Sequence, residues 1–105
     1  MDGDGGGPTS TNPSRMDVPE LTAALYRHLA ATEQLPLDPV ANRWLGEAQA
    51  VAADIATSDV TPAVAIDRAA TVVQLLESTG DIDNPEASEH VATSLTLARE
   101  LAARA

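Results

Sequence analysis

Cysteine, lysine and phenylalanine are all missing from this 105-residue chain, and Trp44 and Tyr26 are its only large aromatics. Without cysteine there is no disulfide framework, no zinc finger, no thiol nucleophile and no iron–sulfur cluster. Without lysine, six arginines stand as the only fixed cations against 16 acidic residues, giving a formal net charge of −10. Nucleic-acid binding depends on basic side chains that neutralise phosphates, so a DNA or RNA partner is excluded, and an anionic membrane surface falls to the same reasoning. No apolar run approaches the roughly 18 residues of a membrane span, and the Gly-rich start lacks the basic-then-apolar plan of a signal peptide. The expectation is a cytoplasmic protein of one domain.

What is present is Asp, Glu, Ala, Val and Thr in abundance. Together with the missing lysine, this composition resembles the small acidic helical proteins of haloarchaeal type. The resemblance is one of composition over the whole chain and carries no motif, so it assigns no functional residue. Its physical sense is that hydrated carboxylates compete for water with salt, while molar salt shortens the Debye length to about 3 Å and screens their repulsion.

Residues 1–16 (MDGDGGGPTSTNPSRM) have no hydrophobic period and read as a disordered tail, leaving 17–105 as a single helical domain. Four start signals follow. Asp17-Val18-Pro19-Glu20 is a capping box with Met16 placed to staple onto Leu21, and Asp38-Pro39, Thr61-Pro62 and Asn84-Pro85 each put a capping oxygen before a proline at the first helical position. Leu35-Pro36, Ser58-Asp59 and Gly80 read as stops.

At 100° per residue, helix one aligns Val18, Leu21, Leu25, Leu29 and Thr32. Helix two aligns Val40, Trp44, Ala48, Val51, Ala52 and Ile55. Helix three aligns Ala63, Ile66, Ala69, Ala70, Val73 and Leu76, and helix four Ala87, Val91, Leu95, Ala98, Leu101 and Ala102. The fold class predicted is all-α, a four-helix bundle or paired helical hairpins. Trp44, with Val40 and Val51, reads as the largest core anchor, and mid-helix Gly46 as a point of close helix approach. An alanine-rich core near 90 residues buries little apolar area per residue, which favours oligomerisation.

Candidate sites are few. Val64, Arg68, Thr71 and Leu75 form a second stripe on helix three, either an interface with another chain or the far side of a helix buried all round; Glu77, in the main stripe, bends outward or pairs with an arginine. His28 and His90 with a carboxylate have the chemistry of a zinc or iron site, but neither His-x-x-x-His nor Glu-x-x-His occurs, so boundary histidines and no metal are expected. The Asp81–Glu86 loop fails the calcium-loop template, with Glu86 where glycine belongs and Ala92 where glutamate belongs; Asp2-Gly3-Asp4-Gly5 fails for want of later ligands. Glu86-x-x-Glu89 resembles the magnesium-holding pair of all-helical nucleotide pyrophosphohydrolases, yet Glu100 is followed by Leu-Ala-Ala and no second acidic pair. No Gly-x-Ser-x-Gly elbow frames Ser58, Ser78, Ser88 or Ser94, and Gly3–Gly7 is no dinucleotide fingerprint.

The sequence therefore predicts a non-catalytic protein-interaction or structural module adapted to high salt, without cofactor, working as a homodimer and with a further protein as a second partner. The rival is a small magnesium-dependent nucleotide-binding or nucleotide-hydrolysing enzyme using Glu86 and Glu89.

Overall fold

The computed structural model describes residues 12–104. Each predicted cap closes a helix. In α1 (Val18–Ala31) the Glu20 amide donates to Asp17 Oδ1 at 2.9 Å while the Asp17 amide donates to Glu20 Oε1 at 3.0 Å. α2 (Pro39–Thr57) starts where the Ala41 amide donates to Asp38 Oδ1 at 2.8 Å. In α3 (Pro62–Glu77) Val64 donates to Thr61 Oγ1, and in α4 (Pro85–Ala102) Ala87 donates to Asn84 Oδ1. Proline at the first helical position, or at the second in α1, has no amide to leave unsatisfied and a φ already suited to the helix. α1 tightens into a 3-10 turn at Thr32–Gln34, and Gly80, at φ 71°, turns the chain after α3.

The four helices form a bundle in which each packs on its neighbours in sequence and α4 returns onto α1 in the most extensive pairing; α1 and α3 touch little across the diagonal. Among the described residues there is no strand and no helix long and apolar enough to cross a membrane. Leu21, Leu25, Leu29, Leu45 and Leu101 are the largest fully buried side chains. Each contributes about 1.5–3 kcal/mol by leaving water.

Helix one faces the core as its pattern predicts, helix four keeps Ala87, Val91, Ala98 and Leu101 of its predicted row inward, and α2 and α3 are turned partly away from theirs. On α2 the inward row is Ala41, Leu45, Ala48, Ala52 and Ile55; Val40 is 59% exposed. Trp44 is only half-buried, with the Arg43 guanidinium 5.2 Å from its ring centre. Trp44 is thus a flanking residue and not the core anchor. An alanine-lined row lets α2 approach its neighbours more closely than an indole would allow. On α3 the row is Ala65, Ala69, Val72 and Leu76, and on α4 Ser94 and Leu97 join Ala87, Val91, Ala98 and Leu101. Gly46 faces open space, so close helix approach within the chain does not explain it.

The boundary at residue 16 also moves. Pro13–Arg15 form a 3-10 turn capped by Asn12, and Met16 packs against the core cluster that contains Leu21. Arg104 holds this turn from the far end of the chain, donating to Pro13 O at 3.0 Å while its Nε pairs with Glu100 at 3.1 Å. The first eleven residues of the predicted tail lie outside the described residues.

Candidate functional site

The second stripe of α3 meets α2. Asp54 of α2 pairs with Arg68 of α3, and beside this ion pair lies a shallow hollow of about 450 Å³ lined by Ala50, Val51, Asp54, Arg68 and Thr71. Arg68 and Thr71 are exposed, whereas Val64 and Leu75 are half-buried and Leu75 rests against the core. Helix three is therefore not buried all round. Three of the hollow's residues come from α2, and the α3 pattern alone gave no signal for them. Glu77 points outward and pairs with Arg99 at 2.9 Å.

A second constellation lies where α1 meets α4. His28 and His90, 62 residues apart in sequence, bring their Nδ1 atoms to 3.0 Å, with ring centres 5.2 Å apart and planes inclined by 50°. At that distance one ring donates its Nδ1–H and the other accepts, so the pair is held by a single shared proton. Burial, then the charges of His90 and Arg27, pull the His28 imidazole below its usual value. The neutral form is thus favoured at His28. Both histidines stand out in the sequence as the only two, but their meeting depends on the register of α1 against α4, which no local pattern carries.

Next to His28 opens a hollow of about 440 Å³ between α1 and α4, lined by Met16, Ala23, Ala24 and Leu97 with Glu20, Arg27, Thr93 and Thr96 at its polar edges. The 3-10 turn contributes Pro13 to its wall. Glu86 and Glu89 lie exposed in the first turns of α4. Among the described residues no three His, Asp or Glu side chains converge as a metal cage.

Fold and faces together define a small acidic four-helix domain with two distinct surface features. Residues 21–105 match the family described as Domain of unknown function (DUF8152), and the chain belongs to that family. No curated protein and no solved structure matches it.

Proposed function

We propose that this chain is a non-catalytic protein-interaction module that pairs with a second copy of itself through the α2–α3 face. The observation that carries the reading is the hollow bordered by the Asp54–Arg68 ion pair. A twofold interface requires a surface complementary to itself, and a face presenting a paired anion and cation beside an apolar floor meets that requirement: each Arg68 can exchange its own Asp54 for the partner's. Ala50 and Val51 supply the apolar part, and Thr71 adds a hydroxyl without a charge to desolvate. Nearby on α2, the half-exposed Trp44 with Arg43 stacked on it supplies the two residue types that most often anchor interfaces.

The charge of −10 fits a protein that works in a salt-rich cytoplasm of haloarchaeal type, where screening lets two acidic copies meet. Sedimentation equilibrium in molar KCl tests the reading. The wild type should sediment as a dimer, and Thr71→Arg, which sets a second cation beside Arg68, should sediment as a monomer with an unchanged helical spectrum. A wild type that stays monomeric at millimolar protein, or a Thr71→Arg dimer of unchanged affinity, would overturn it.

A further inference from the structure

We infer that His28 and His90 form a binding site for a divalent transition-metal ion that ties α1 to α4, with the two Nδ1 atoms as its protein ligands. The two nitrogens already converge at 3.0 Å from separate helices. A tetrahedral ion with metal–nitrogen bonds of 2.0–2.1 Å holds adjacent ligands about 3.3 Å apart, so the shared proton needs to leave Nδ1, the nitrogens to part by about 0.3 Å, and each ring to turn its Nδ1 lone pair off the N–N line towards the ion. The outer torsion of histidine is soft enough to supply that movement. Nitrogen ligands of this kind suit Zn²⁺, Ni²⁺ or Cu²⁺, not Mg²⁺ or Ca²⁺, which take oxygen.

Two further features favour the ion. The chain's net charge of −10 raises the local concentration of divalent cations around it. His28 also borders the α1–α4 hollow, so one side of the pair is open for an ion to enter and for water to complete its shell. With two protein ligands the site is an exchangeable clip across the most extensively packed helix pair of the bundle and not a closed structural cage.

The test is a titration of the full chain with Zn²⁺ in molar sodium sulfate, which avoids chloride as a competing ligand, followed through the ring protons of the two histidines by NMR. One ion per chain should shift both sets of ring resonances together. His28→Gln and His90→Gln should each weaken uptake at least tenfold while keeping the helical spectrum, and Zn²⁺ should raise the thermal midpoint of the wild type but of neither variant. Uptake of undiminished affinity in both variants would place the ion on surface carboxylates and overturn the inference, as would the absence of saturable uptake at millimolar Zn²⁺. Should a variant lose its fold, the wild-type titration decides alone: ring resonances that stay fixed while Zn²⁺ binds overturn the assignment. Failure of this site leaves the α2–α3 interface untouched, because the two lie on different helix pairs.

Discussion

Alanine substituted for glycine at two positions of this chain should change stability in opposite directions, although a new Cβ meets nothing within 4 Å at either site. Gly46 lies inside α2 with ordinary helical backbone, and a helix-interior glycine is about 1 kcal/mol less favourable than alanine because its backbone loses more freedom on folding. No clash offsets the gain, so Gly46→Ala should stabilise by about 1 kcal/mol, which for a domain of this size is a rise of about 4–8 °C in thermal midpoint. Gly80 has φ 71°, where a Cβ crowds the following carbonyl. Gly80→Ala should therefore destabilise by about 1–2 kcal/mol. Paired urea and thermal melts of both variants at one fixed salt concentration measure the difference. Equal signs would refute the argument that backbone conformation alone decides these sites, and a loss at Gly46 would mean that another chain packs against that surface.

Three further outcomes follow from the same structure. Ser94 is fully buried and its hydroxyl has no partner among the described residues, so Ser94→Ala should raise stability by about 1 kcal/mol in urea melts by removing an unpaid desolvation cost. In the metal-free protein, the His28 imidazole lies below its usual value through burial, His90 and Arg27, so the unfolded chain binds the proton more tightly than the folded one; stability should be complete above pH about 6.5 and fall as the pH drops towards the folded value, and His28→Gln should flatten that part of the profile. Moving from molar to millimolar KCl lengthens the Debye length about tenfold or more and restores repulsion among 16 carboxylates, so circular dichroism should report loss of helix on desalting; a spectrum unchanged across that range would contradict the high-salt reading.

The helix starts were legible because capping is local. Asp38-Pro39, Thr61-Pro62 and Asn84-Pro85 each bring a side-chain oxygen to an amide three residues on, and nothing distant can alter that geometry. The rotation of the helices was not legible to the same degree. In α1 the leucines leave one reading, but in α2 and α3 the adjacent pairs Ala52-Ala53 and Ala69-Ala70 support two stripes one residue apart. The choice between them is made by packing: the bundle takes the stripe with Ala41, Leu45 and Ala48 inward, which moves Trp44 to the flank. Asn12-Pro13 carries the same cap-and-proline signal as the helix starts, but it opens only a three-residue turn whose tie to the bundle comes from Met16 and from Arg104, 91 residues away from Pro13. The pairing of His28 with His90 is conceivable from the sequence, but their direct contact at 3.0 Å follows from the register of α1 against α4.

The self-pairing of the α2–α3 face admits a direct measurement because the chain has no cysteine of its own. A single Thr71→Cys should form an intermolecular disulfide readily under mild oxidation in molar KCl, since a twofold contact through the hollow brings the two copies of residue 71 close. Asn42→Cys, exposed at the far end of the hollow between the Thr32–Gln34 turn and α2, serves as the control and should cross-link no faster than random collision allows. Rapid, concentration-insensitive cross-linking at residue 71 alone is the result the account predicts; equal rates at both positions, or none at residue 71, would contradict it.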